Sequence, residues 1–202
     1  MKVRALAVVT LVALAGIGTA LMAAAGRAPA PAPTIGAFAI DAVHTTVVFK
    51  VQRINGAPFY GTFKKIDGSF NIDPANLSAS IVDVTIPVES IDSNNGGRDK
   101  HLKGADFFSA AEFPNLAFKS KSVTKTADKQ FEIAGDLTAR GVTKPITIKA
   151  LQTGTGPARG GGTAAGFDVT FSFKRSDFGI NYGPQALGDE VAVMVGLEGV
   201  KK

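Results

Sequence analysis

Apolar–polar alternation with a period of two runs through most of this chain, and a helix cannot satisfy that pattern. Thr45, Val47, Phe49 and Val51 fall on one face of an extended segment, and Thr46, Val48, Lys50 and Gln52 on the other. The pattern recurs as Gly68-x-Phe70-x-Ile72, Val82-x-Val84-x-Ile86-x-Val88, Leu116-x-Phe118, Phe131-x-Ile133-x-x-x-Leu137, Ile146-x-Ile148, Phe167-x-Val169-x-Phe171-x-Phe173 and Val191-x-Val193-x-Val195-x-Leu197. Successive side chains of a strand point to opposite faces, so each of these eight segments predicts a strand with one buried and one wet face. A further strand begins in Phe59–Phe63.

Asn55-Gly56, Asp67-Gly68, Asp73-Pro74 and Arg140-Gly141 are turn signals between these runs, and the Gly-rich stretch Thr153–Gly162 reads as a flexible hairpin loop. No strand–helix alternation calls for a parallel sheet. The one helical stretch is Gly97 to Phe108, with Leu102, Ala105 and Phe108 inward and Arg98, Asp99, Lys100 and Lys103 toward water. The fold class is therefore all-β. About eight amphipathic antiparallel strands hide one face each either as a closed barrel or as a two-sheet sandwich. A barrel of that strand number is either filled by side chains or holds one small ligand, and the residues alone leave both open. Strands of about ten residues, tilted by about 40°, make a barrel roughly 25 Å tall, which suits a long chain better than a compact polar metabolite.

The start of the chain is of another kind. Met1-Lys2-Val3-Arg4 is basic, Ala5 to Ala25 is apolar, small or Thr, and Ala23-Ala24-Ala25 offers small residues for cleavage. Residues 1–25 read as a secretory signal peptide and 26–36 as a stiff Ala/Pro linker, which leaves 37–202 as one domain. The expected location is periplasmic or secreted, with anchoring through an uncleaved leader as the rival reading. The 202-residue chain carries a net charge of +5, to which Lys2 and Arg4 of the leader contribute two, and this does not call for nucleic acid. There is no cysteine, so disulfides, thiolate metal sites and a cysteine nucleophile are excluded. Trp is absent too, while there are 14 Phe, all beyond the leader, so the interior is greasy with few polar handles.

Constellations for chemistry are sparse. His44 and His101 are the only histidines, with Asp41 and Asp99 near them in sequence. They sketch a two-His, one-carboxylate set, but without a further His or any Cys no metal is expected, and no cofactor. No Gly-x-Ser-x-Gly elbow and no dinucleotide-binding glycine motif is present. The run Arg98-Asp99-Lys100-His101-Leu102-Lys103 is either a solvated helix face or a grip on a head group or partner. Arg175, in Arg175-Ser176-Asp177-Phe178-Gly179, either bonds an Asp to close a barrel end or meets a polar group of a ligand.

Several phrases in order carry a resemblance. They are Phe38-Ala39-Ile40-Asp41-x-x-His44-Thr45, Gly61-Thr62-Phe63, Ile91-Asp92-Ser93 leading to Arg98-Asp99-Lys100-His101-Leu102-Lys103, Phe113-Pro114, Gly135-Asp136-Leu137-Thr138-x-x-Gly141-Val142-Thr143-Lys144-Pro145, Arg175-Ser176-Asp177-Phe178-Gly179 and Leu187-Gly188-Asp189-Glu190-Val191. Over roughly residues 37–200 the chain resembles the YceI-like family of bacterial periplasmic proteins. The resemblance implies an extended antiparallel lipocalin-like barrel with one short helix, holding a polyisoprenoid or other long-chain lipid and carrying no settled catalytic activity. Many relatives have Val-x-His near the end of the first long strand. Here the chain reads Val51-Gln52-Arg53, which puts a permanent cation at that position.

Parity then names the expected ligand-binding lining: Val47, Phe49, Val51, Phe70, Val84, Ile86, Phe131, Ile133, Phe167, Val169, Phe171, Val193 and Val195. Arg53 joins them at the mouth, where it either meets a head group or is neutralised by Asp41 or Asp67. The expected partner is a long-chain isoprenoid or other lipid, with a homodimer left open. The alternative is an enzyme or stress-response factor acting on a small lipid or quinone, with His44, His101 and Arg98 as its candidates.

Overall fold

β11 (Leu187–Lys201) is the strand on which the architecture turns. The computed structural model describes residues 37–202; the signal-peptide and linker readings lie outside the described residues. One edge of β11 pairs with β10 (Thr163–Lys174) along its whole length. Its other edge serves two partners in turn: β2 (Thr46–Arg53) over Leu187 to Gly196, then β1 (Phe38–Ile40) at Gly199 and Val200. β1 also pairs with β4 (Asp67–Asn71), which continues through β5 (Ile81–Pro87), β7 (Asn115–Ala127), β8 (Gln130–Ala139) and β9 (Val142–Pro157) back to β10. All neighbours are antiparallel, and the circuit closes into an eight-strand barrel.

Three strands stand outside the circuit or flank it. β2 leaves β11 to pair with β3 (Phe59–Phe63), and β3 pairs with the short β6 (Ile91–Asp92). Among the described residues eleven strands are thus present where eight alternating runs and the start of a ninth are legible in the sequence. The unforeseen ones, β1 and β6, span three and two residues, too short to display a period. Beyond β6 the side of the barrel is covered by α1 (Gly96–Lys103) and the turns after it, with Leu102 and Phe108 packed on the Phe63 cluster.

α1 is shorter than the expected 97–108. Asn95 caps it by accepting from the Arg98 N–H, and after Gly104 the chain folds back, with the N–H groups of Phe107 and Ser109 donating to the Gly104 carbonyl and that of Ala110 to Lys103. Phe107, not Ala105, is therefore the buried residue. β9 is longer than expected and runs through Pro157. The stretch from Thr153 to Pro157 is strand, paired with Thr163 to Gly166, and the loop is confined to the turn beyond it.

The end of the barrel at β1 is plugged by aromatic packing. Phe70 stacks on Phe38 at 5.3 Å and meets Phe167 edge-on at 5.4 Å, and Phe131 lies 6.4 Å from Phe167. Gly199 makes this possible, because a β-carbon there would sit 2.5 Å from Phe70 Cε1. At the other end Arg140, in the tight Arg140-Gly141 turn between β8 and β9, donates to the carbonyls of Gly179 and Ala105. That side chain joins the segment after β10 to the segment after α1.

Candidate functional site

The inward faces of the strands do not meet everywhere. Between the Phe plug and the end covered by α1 and residues 180–187 they enclose a cavity of about 580 Å³. This is within the range of small-molecule sites, and its walls are the alternating apolar residues of the strands.

Ten of the fourteen expected residues line it: Val47, Phe49, Val51 and Arg53 of β2, Val84 and Ile86 of β5, Val169 and Phe171 of β10, and Val193 and Val195 of β11. Phe70, Phe131, Ile133 and Phe167 do not. They face inward as expected but sit at the plugged end, between 1% and 4% exposed, where side chains from β4, β8 and β10 fill the bore. The difference is one of depth along the barrel, which parity does not encode. Other wall residues were outside the expected set. Phe59 and Phe63 alternate around Gly61, Val82 shares the face of Val84, and Val191 shares that of Val193, so simple extension of the same parity finds them. Phe107 and Tyr182 come from irregular segments and carry no such signal.

The polar side chains in the wall are Arg53, Arg98, His101, Arg175 and Tyr182. Arg175 is only 5% exposed and bonds four carbonyls: Nε donates to Gly188 at 2.9 Å, Nη1 to Ile180 at 2.9 Å and Tyr182 at 2.8 Å, and Nη2 to Leu187 at 3.2 Å. The expected closing bond to an Asp is not made: among the described residues no carboxylate bonds it, and most of its donors hold the 180–188 segment. Asp189 instead accepts from the N–H and hydroxyl of Ser176, and these bonds hold its carboxyl below the usual range. Arg98 bonds Ser93 Oγ at 2.9 Å and the Ser93 carbonyl at 2.7 Å, and lies 4.3 Å from the Phe59 ring centroid as a cation–π pair. The charge run is thus partly a structural clamp rather than a solvated face throughout.

Arg53 ends β2 opposite Leu187, and its guanidinium makes no hydrogen bond or ion pair with a described residue. The expected neutralisation by Asp41 does not occur, because Asp41 lies before β2 and Arg53 at its far end. Asp41 bonds His44 Nδ1 at 2.8 Å; Glu198 follows at 3.8 Å. His101 belongs to the mouth, where Nε2 meets Asp106 Oδ2 at 2.9 Å and the ring packs edge-on against Phe107 and Tyr182 at 5.0 and 4.9 Å. The two histidines stand at opposite ends of the barrel, so the sketched two-His set is not assembled. Asp99 is likewise turned away from His101 and bonds the Ser93 N–H and hydroxyl. What the arrangement offers chemically is an apolar bore with hydrogen-bond donors at one end.

Known proteins of this shape are at hand. The model of the YceI-like domain matches residues 38–199. The protein YceI of Escherichia coli O157:H7 is 42% identical over 159 residues, covering 79% of this chain and 83% of that relative. Among solved structures, Burkholderia cenocepacia BcnA superposes with a TM-score of 0.73 at 24% identity, over 80% of this chain and 99% of that one. A polyisoprenoid-binding domain from Saccharophagus degradans, implicated in plant cell wall breakdown, superposes with a TM-score of 0.60 at 14% identity, over 82% of this chain and 98% of that one. At these identities the two structures speak for the fold.

Proposed function

The chain belongs to the YceI-like family, and from that premise we propose that it is an exported, non-catalytic protein that sequesters or carries a polyisoprenoid or similar long-chain amphiphile. The observation that carries this reading is the bore itself: about 580 Å³ walled by Phe, Val, Ile and Leu, with its polar side chains gathered at one end. Such a site recognises little besides chain carbons. Each buried methylene is worth ~0.8 kcal/mol in transfer terms, and for a ligand of this size ~0.3 kcal/mol per heavy atom is the realistic yield. The Saccharophagus domain of the same fold is described as polyisoprenoid-binding, which supports the ligand class by analogy. Export rests on the basic start, the apolar run and Ala23-Ala24-Ala25.

The test is organic extraction of protein purified from its producing cells, followed by mass spectrometry. About one long-chain lipid per protein is the expected result. Protein that carries no lipid and takes none up from prenyl lipid vesicles overturns the proposal. Mature chain beginning near Gly26 outside the cytoplasm is expected in the same preparation, and full-length chain in the cytosol overturns export.

A further inference from the structure

We infer that the barrel carries, at the end away from the mouth, a site for one divalent transition-metal ion of the zinc type, ligated by Asp41, His44 and Glu198. The site stands apart from the apolar bore and does not depend on what the bore holds.

The first observation is geometric. His44 Nδ1 lies 2.8 Å from Asp41 Oδ2 and 3.8 Å from Glu198 Oε1, and the three ligand atoms all lie within 4.8 Å of one another. Zinc bonds of about 2.0–2.2 Å to nitrogen and oxygen, arranged as a tetrahedron, set ligand atoms roughly 3.4 Å apart. One ion therefore fits between the three atoms after small side-chain rotations, with the backbone in place. Residue order alone does not display the set, because its third member comes from β11, which only closure of the barrel brings beside the turn before β2.

The second observation is that the backbone fixes the three ligands in advance. The Asp41 N–H donates to the Glu198 carbonyl at 2.9 Å, the Glu198 N–H donates to Thr45 Oγ1 at 3.1 Å, and the His44 N–H donates to the Asp41 carbonyl at 3.2 Å. Asp41 Oδ1 accepts from the Val43 N–H, which leaves Oδ2 for the site. Little ordering is left for an ion to impose. The third is that Glu198 is spare. Its carboxylate makes no hydrogen bond with a described residue, and its register partner on β10 is Gly166, which has no side chain to compete for it.

The fourth observation is one of charge. Two carboxylates face one imidazole, and the cation that bears on His44 is Arg159, in the turn after β9, so negative charge is in excess. The bond between them holds His44 above its ordinary range and Asp41 below its own, so the cluster draws positive charge to the point where its ligand atoms meet. In the metal-free protein a proton supplies that charge, and a divalent ion that displaces the proton supplies more of it. Imidazole with carboxylates suits zinc, copper(II) or nickel, whereas calcium and magnesium take larger shells made of oxygen. A surface recess of about 410 Å³ lined by Ala39, Ile40, Asp41 and Val200 leaves room for water as a fourth ligand.

Calorimetric titration of tag-free mature protein, stripped with a chelator, with zinc chloride tests this. One ion per chain is expected. Zinc should also raise the melting temperature, because the ion joins the turn before β2 to β11, and magnesium at the same concentration should not. In amide NMR spectra, copper(II) is expected to broaden the signals of residues 41–45 and of Glu198 while those around His101 and Asp106 stay sharp. His44→Gln and Glu198→Gln should each weaken zinc binding by about tenfold or more. His44 is exposed and Glu198→Gln keeps every backbone bond, so both variants should fold, and the spectra of the unsubstituted protein report on the site whether or not they do. Absence of saturable zinc binding, a melting temperature that zinc does not raise, broadening centred on His101, or zinc affinity unchanged in either folded variant overturns the site.

Discussion

The ring of Phe49 on β2 occupies the space in which its cross-strand partner Gly61 on β3 would carry a side chain: a β-carbon at Gly61 would fall 2.3 Å from Phe49 Cζ. The pair decides how wide the bore is at that level. Phe49 can lie against the wall, next to Phe59 and Phe63 at 6.4 and 5.6 Å, only because its neighbour has no side chain.

Gly61→Ala therefore pushes the Phe49 ring into the cavity or splays β2 from β3. Overpacking of this kind costs about 1–3 kcal/mol. The expected outcome is a lower melting temperature together with reduced lipid content by mass spectrometry. Unchanged values in both would show that the ring has room elsewhere.

Phe171 and Phe131 should respond differently to change, although both face inward. Phe171 lines the cavity and Phe131 is 2% exposed within the plug. Phe171→Trp adds bulk where there is space, so it should fold with near-normal stability and compete with bound lipid. Phe131→Trp should destabilise by about 1–3 kcal/mol, and Phe131→Ala by about 3–5 kcal/mol. Denaturant titration of the three variants checks the ordering. A Phe171→Trp variant as unstable as Phe131→Trp would indicate a filled core at that level.

The Asp41–His44 pair makes stability depend on pH in a defined window. The Asp41 hydrogen bond holds His44 above its ordinary value of 6.5, and the His44 bond holds Asp41 below its ordinary 3.8. For His44 the raised pKa gives stabilisation that is complete below 6.5 and lost as pH rises through the folded value. For Asp41 the lowered pKa gives stabilisation that is present above 3.8 and lost as pH falls through the folded value. Their joint effect is greatest between those two ordinary values. Because both groups are solvent-accessible the effect is small and salt-sensitive. Melting temperature against pH should show a shallow loss as pH rises above 6.5 that disappears in His44→Gln; a profile identical to that variant would refute the coupling.

Arg140 holds two covering segments with one side chain, so Arg140→Met should loosen them together. Hydrogen bonds from a charged donor are worth about 1.5–3 kcal/mol when both partners would otherwise be left unsatisfied, and less at this partly exposed site. Amide exchange is expected to quicken around Gly179 and around Ala105 at once, with β8 and β9 unaffected. Faster exchange at only one of the two would show that Arg140 does not join them.

The all-β class, the inward face of every long strand and the closing helix were legible in residue order alone, because a strand's period is two and any half-buried strand must display it. Val47-x-Phe49-x-Val51 announces its buried face without reference to any other part of the chain. β1 was not legible, for it consists of three residues whose role is to be the second partner on one edge of β11. Arg175 shows the same limit. Its position at the end of β10 could be read, but its carbonyl partners lie five to thirteen residues onward and are aligned by the path of the 180–188 segment.

Alternation states which side of a strand is inside but not how far along the bore a residue lies, nor what comes from across it. Phe131 and Phe171 carry the same signal in the sequence, yet one is in the plug and the other in the cavity wall. That distinction is set by register and closure, which place Phe38, Phe70 and Phe167 around Phe131's end and leave the opposite end covered by shorter, irregular segments. Local chemistry therefore determined that this protein has an apolar interior. Only the tertiary structure decided where that interior is solid and where it is hollow, because packing density depends on side chains brought together from strands distant in the chain.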